Sequence, residues 1–85
     1  MKLSRTNVDD GLLMYPGVIE KVGYDFQSDE KMRVGKGELT GPPDLMRDAF
    51  RQGRLTLKLA EGANLRIVMV AHTEGGERAF FEIES

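Results

Sequence analysis

The C-terminal third of the chain alternates apolar and polar residues, which is the pattern of strands with one buried face. Residues 54–59 place leucine at every second position. Residues 65–73 and 79–83 are rich in strand-forming side chains, and glycine-containing breaks separate the three runs. We predict three strands joined as an antiparallel meander.

The two turns of this meander determine its register, because a slip of one residue moves a whole apolar set to the wrong face. Three-residue loops at 60–62 and 74–76, with Gly62 and Gly76 left-handed, put the apolar residues of both hairpins on one face. The predicted pairs are Leu59 with Ala63, Leu57 with Leu65, Leu55 with Ile67, Ala71 with Ala79, Met69 with Phe81, and Ile67 with Ile83.

One short helix is predicted over residues 42–53, ahead of the meander. Proline is tolerated in a first helical turn, Asp44 suits the positive end of the helix dipole, and Gly53 suits the position after the last turn. The apolar residues form one stripe, which we expect to cover an open end or face of the sheet. They are Leu45, Met46, Ala49 and Phe50.

In the first half of the chain the alternation of apolar and polar residues is weaker. Residues 18–26 predict a strand, and a second strand is expected to begin at residues 32–34, with Phe26 opposite Met32 and Tyr24 opposite Val34. Glycines at positions 35 and 37 predict a bulge or sharp bend in that second strand. Residues 12–15 could add a short extra strand.

These elements predict a mainly β (α+β) fold in the order β-β-α-β-β-β. We expect a small curled antiparallel β-barrel or two-layer sheet of five to six strands with one short helix; a flat α+β sandwich is the alternative. A chain of 85 residues is long enough for one core, so residues 1–85 are interpreted as a single domain. Residues 1–11 are polar and are expected to be a flexible or loosely attached arm.

Composition narrows the class of protein. The chain has 40% hydrophobic residues and no cysteine, so it predicts a self-sufficient core without disulfides or thiolate metal sites. The net charge of −2 is spread evenly over both halves, which argues against nucleic-acid binding because that affinity comes largely from phosphate neutralisation. No apolar run has the length of a signal sequence or a membrane span, so we expect a cytoplasmic, soluble protein.

Candidate chemistry is sparse. The single histidine, His72, is predicted on the strand face opposite the core with Arg78 as its neighbour, and one histidine without cysteine cannot build the usual transition-metal site. The serines Ser4, Ser28 and Ser85 lie in predicted termini or a loop, where a catalytic triad is hard to organise. We expect no enzyme activity, no metal and no cofactor.

Two hypotheses for function follow. Val68, Val70 and Phe80 are predicted on the second face of the strands, with Val70 opposite Phe80 and His72 nearby. The N-terminal hairpin or the helix would cover this apolar cluster, or it would contact a protein partner or a second copy. We therefore favour a non-enzymatic protein-interaction or self-associating module.

The alternative hypothesis is a small-ligand or nucleotide sensor. Arg47 and Arg51 have the spacing of the arginine pair with which PilZ-type barrels bind cyclic dinucleotides. Here the pair lies in a predicted helix, and no Asp/Asn-x-Ser segment follows to complete that motif. An arginine pair at this spacing is usually a solvated helix face.

Overall fold

The computed structural model describes residues 3–84, and in this part of the chain six antiparallel strands close into a barrel with one helix. The elements are β1 (Arg5–Tyr15), β2 (Val18–Ser28), β3 (Gly35–Thr40), α1 (Pro43–Gln52), β4 (Arg54–Lys58), β5 (Asn64–His72) and β6 (Arg78–Ile83). Their order around the barrel is β1-β2-β3-β6-β5-β4. The predicted mainly β barrel, with a helix inserted before the final meander, is confirmed; the flat sandwich is not observed.

Strand β1 differs from the expected arm. Residues 5–11 belong to a strand that pairs with β2 along its whole length, from Arg5 opposite Ser28 to Tyr15 opposite Val18. Polar side chains occupy both faces of this segment, so no period-two pattern marks it in the sequence. Residues 1 and 2 of the expected arm lie outside the described residues.

The register predicted between the second and third strands is wrong. Phe26 lies opposite Gly37 rather than Met32, and Tyr24 lies opposite Leu39 rather than Val34. Residues 29–34 form the connection instead, where the Asp29 carboxylate accepts hydrogen bonds from the backbone N–H groups of residues 33 and 34 at 2.8 and 3.2 Å. The second strand runs on to Ser28, and the loop that Asp29 organises delays the start of the third strand to Gly35, later than the apolar pattern indicated.

The glycine at position 37 is required by space rather than by a bulge. Pairing through β3 is regular, but a Cβ atom on Gly37 would overlap the carbonyl oxygen of Asp25 and the Cβ of Phe26. Neighbouring backbones approach closely here, which lets this part of the sheet coil into the barrel.

The first predicted hairpin of the meander is confirmed. Leu57 lies opposite Leu65, and Leu55 lies opposite Ile67. Gly62 has a φ of 101°, in the left-handed region that glycine tolerates best.

The second hairpin is confirmed in part. Met69 opposite Phe81 and Ile67 opposite Ile83 are correct, but a bulge then shifts the register. As a result Ala79 faces His72, not Ala71 as predicted, and Gly75 rather than Gly76 has the positive φ, of 71°.

The core fills the barrel interior, and α1 contributes to it. Met46 and Ala49 are fully buried, whereas Phe50, predicted as core, is 39% exposed. The Phe26 and Phe81 rings meet edge to face with centroids 5.7 Å apart. No helix in residues 3–84 is long and apolar enough to cross a membrane. The buried apolar residues are Leu13, Val22, Tyr24, Phe26, Leu39, Met46, Ala49, Leu55, Leu57, Leu59, Leu65, Ile67, Met69, Ala79 and Phe81.

Candidate functional site

The apolar cluster predicted from the sequence lies on the outer surface of the barrel. We call Val68, Val70 and Phe80 the β5–β6 patch. Val70 is 49% exposed and Phe80 is 37% exposed, while Val68 is half-buried. Because the strands close into a barrel, the N-terminal hairpin forms the far wall and does not cover this patch.

A β-bulge builds the patch. Met69 lies opposite Phe81 and Ala71 lies opposite Phe80, so Val70 is the extra residue between them. Val70 and Ala71 are both exposed, next to Phe80. A bulge of this kind re-aims side chains and increases local twist. It gathers apolar side chains on the outer surface where regular alternation would allow fewer.

The same bulge removes His72 from the surface where it was predicted. His72 lies opposite Ala79, which is fully buried, and opposite residues share a face, so His72 is on the core side. Its ring packs against that of Phe50, with centroids 4.6 Å apart. Arg78 is not its cross-strand partner, because the Arg78 carbonyl accepts the N–H of Thr73 at 3.3 Å. His72 therefore joins α1 to the rim of the barrel and is not part of the β5–β6 patch.

Charges of both signs border the patch along β6. Arg78 and Glu82 are exposed and stand two residues before and two residues after Phe80, so all three share the outer face. Arg78 lies 3.9 Å from the carboxylate of Glu38 on β3, a distance at which the pair is loosely held. The strand therefore presents a cation, an aromatic ring and an anion in line.

The arginines of the alternative hypothesis lie on the helix surface. Arg47 and Arg51 are both exposed and point away from the buried Met46 and Ala49. Arg47 is paired with Asp44 one turn earlier, at 3.5 Å. The structure places this pair on a solvated helix face, the ordinary position for such a spacing.

One apolar surface was missed by sequence reasoning. Met14, Tyr15, Val18 and Ile19 line an open groove at the tip of the β1–β2 hairpin, and Ile19 is 67% exposed. Burial raises the pKa of Tyr15 above its ordinary value, and the nearby carboxylates of Asp48 and Glu20 raise it further. The signal was the pair of apolar runs on both sides of Pro16-Gly17, which were interpreted only as a short strand at 12–15 and the start of the strand over 18–26.

Polar groups inside the described structure are satisfied. Within residues 3–84 no buried side-chain nitrogen or oxygen lacks a hydrogen-bond partner. In the same residues no group of three or more His, Cys, Asp or Glu is placed to hold a metal ion.

Comparison of the chain with protein-family models found no match, and comparisons with curated proteins and with solved structures found none either.

Proposed function

We propose that the protein is a non-enzymatic, self-associating module that forms a symmetric dimer through the β5–β6 patch. The observation that carries this proposal is the exposed pair Val70 and Phe80, brought together by the bulge on the outer surface of the barrel. Burying an apolar side chain of this size completely contributes roughly 1.5–3 kcal/mol. The half-exposed side chains of the β5–β6 patch would gain part of that free energy when a dimer forms.

The charges around the patch support a second copy as its partner. A two-fold axis passing near Phe80 would bring Arg78 of one protomer to Glu82 of the other, and the reverse. An interface of this type must be complementary to itself, and a line of cation, aromatic ring and anion meets that condition.

The size of the molecule is compatible with such an interface. A standard interface covers about 800 Å² on each partner, which is about 15% of the 5308 Å² surface of this chain. The outer face of β5 and β6, with α1 beside it, is the region that would supply this area.

Sedimentation of the wild type and of Val70→Glu tests the proposal. We expect a wild-type dimer and a folded variant with half its mass, because the glutamate places a charge in the centre of the contact and leaves the inner face unchanged. Ile19→Glu is the matched control: Ile19 is 67% exposed and lies on β2, three strands from β5 in the barrel order. It should remain a dimer.

Three results would contradict the proposal. A wild type that sediments as a monomer at high concentration removes it directly. A Val70→Glu variant that unfolds by circular dichroism would show that the patch belongs to the core. A dimer lost in Ile19→Glu but kept in Val70→Glu would move the interface to the groove at the hairpin tip.

The ligand-sensing hypothesis predicts a different result. A nucleotide or cyclic dinucleotide bound by Arg47 and Arg51 would raise the melting temperature of the wild type by mass action. The double variant Arg47→Ala/Arg51→Ala would lose that rise. We expect no rise in either protein.

A further inference from the structure

Strand β1 is paired unequally on its two sides. It pairs with β2 over Arg5–Tyr15 but with β4 over Leu12–Met14, and within residues 3–84 no strand pairs with the other side of residues 5–10. The barrel is thus closed at one end of β1 and leaves an unpaired strand edge at the other. Such an edge is a template for another strand.

The pairing with β4 ends for a specific reason. After Lys58, which faces Leu12, the next backbone donor on that side belongs to Ala60, and it bonds to the hydroxyl oxygen of Tyr24 at 3.1 Å. The Tyr24 ring passes beside Gly11, where a Cβ atom would stand 3.0 Å from the ring and overlap the Lys58 carbonyl. The Tyr24 hydroxyl therefore accepts the Ala60 N–H, which would otherwise have continued the ladder between β4 and β1.

The alternation of an antiparallel ladder shows which backbone groups face the free edge. Tyr15 and Val18 close the two-residue turn as a hydrogen-bonded pair, so even-numbered residues of β1 direct their N–H and C=O groups away from β2. Thr6, Val8 and Asp10 are the ones beyond the reach of β4. The Asp10 N–H donates to the side chain of Asp9 at 2.8 Å, as expected for a donor with no strand beside it.

We infer that this edge binds an extended, basic segment of another protein as an added strand. The side chains on β1 itself favour that partner: Val8 is 64% exposed, and the exposed Asp9 and Asp10 follow it, with the Asp10 carboxylate held only loosely by Lys21 at 3.8 Å. Added strands gain affinity from backbone hydrogen bonds and specificity from alternate side chains. An apolar residue of the partner would pack on Val8 while its basic residues face the aspartates.

An existing ion pair marks where a basic residue would bind. The Arg5 guanidinium reaches Glu61, in the β4–β5 turn, at 3.2 Å, with both side chains exposed. Exposed ion pairs of this kind are weak, so an incoming lysine can replace Arg5 at Glu61. The site uses no residue of the β5–β6 patch and is independent of the proposed dimer.

The probe is a fluorescein-labelled peptide of alternating lysine and valine, with binding measured by fluorescence anisotropy. Val8→Pro removes one edge donor without breaking the ladder to β2, and we expect about tenfold weaker binding. Val8→Ala keeps the backbone donor and should weaken binding less. Ile19→Pro is the matched control: Ile19 is also exposed and lies on a part of β2 that does not pair with β3. It should bind as the wild type does.

A second measurement keeps the inference testable if Val8→Pro fails to fold. Peptide methylated on alternate backbone nitrogens has the same charge but cannot donate to the edge, so it should bind wild type about tenfold more weakly. Amide exchange at residues 6 and 8 should slow when the unmodified peptide binds.

Several results would overturn the inference. Equal binding of the methylated and unmodified peptides would show that charge attraction, and not strand addition, holds the peptide. Protection elsewhere than β1, or absence of binding, would remove the site. Loss of a wild-type dimer in Val8→Pro would identify a second copy, rather than a basic segment, as the occupant of the edge.

Discussion

The C-terminal meander and the N-terminal hairpin reach the same barrel by different means. In β4 and the first half of β5, buried leucine and isoleucine residues alternate with polar ones, and the turn at Gly62 sets their register. In β1, residues 5–10 carry no fully buried side chain, and they are strand because β2 lies beside them. Alternating burial makes the first hairpin of the meander predictable from the sequence. The strand structure of residues 5–10 depends instead on backbone pairing with β2.

Glycine also acts differently in the two regions, and the largest expected effect tests this. Gly37→Ala places a Cβ where the backbone of residue 25 and the Cβ of Phe26 already lie, so we expect the free energy of unfolding to fall by about 3 kcal/mol or more. Gly62→Ala meets no atom within 4 Å and is strained only by its φ, which should cost about 1–2 kcal/mol. Denaturant melts measure both.

Gly23→Ala is the control for this prediction. It lies on β2, next to β3, and its added Cβ would meet neighbours at 3.6 Å or more, an ordinary contact. Equal losses for Gly37→Ala and Gly23→Ala would show that close backbone approach does not explain Gly37.

Phe50 tests how far α1 belongs to the core. The sequence stripe predicts a fully buried side chain, whose truncation would cost about 3–5 kcal/mol. At 39% exposure and in contact with His72, Phe50→Ala should lower the free energy of unfolding by about 1–2 kcal/mol. Met46→Ala, at a fully buried position on the same helix, is the comparison and should cost about 2–5 kcal/mol. Equal losses of stability in the two variants would contradict the interpretation that Phe50 lies only at the margin of the core.

The smallest expected effect concerns the point where the two regions meet. Tyr24→Phe keeps the buried ring but leaves the Ala60 N–H without its acceptor, so we expect a loss of about 1 kcal/mol. Hydrogen exchange at Ala60 should become faster while exchange in β5 stays unchanged. Unchanged exchange at Ala60 would mean that the Tyr24 hydroxyl does not hold the β4–β5 turn to β2.

The errors in the predicted register share a physical origin. The bend at Val70 and the loop after Ser28 both replace regular pairing by local geometry, one through a bulge and the other through the Asp29 carboxylate. Neither the bulge nor the loop produces a periodic pattern of apolar residues in the sequence. The candidate site was affected directly: Val70 and Phe80 both lie on the outer surface, but Ala71 rather than Val70 is opposite Phe80, and the bulge moved His72 to the other face.

The sequence by itself determined which side chains of the first hairpin of the meander lie inside, because burial of leucine and isoleucine at period two leaves one low-energy register for that hairpin. It also determined the helix, through proline at its start and glycine at its end. Tertiary structure alone decided that residues 5–11 extend β1 and where the ladder from β1 to β4 stops. Hydrogen bonds between strands, such as the backbone ladder of β1 with β2 and the bond from the Ala60 N–H to the Tyr24 hydroxyl, depend on which strands meet and leave no pattern in the residues themselves.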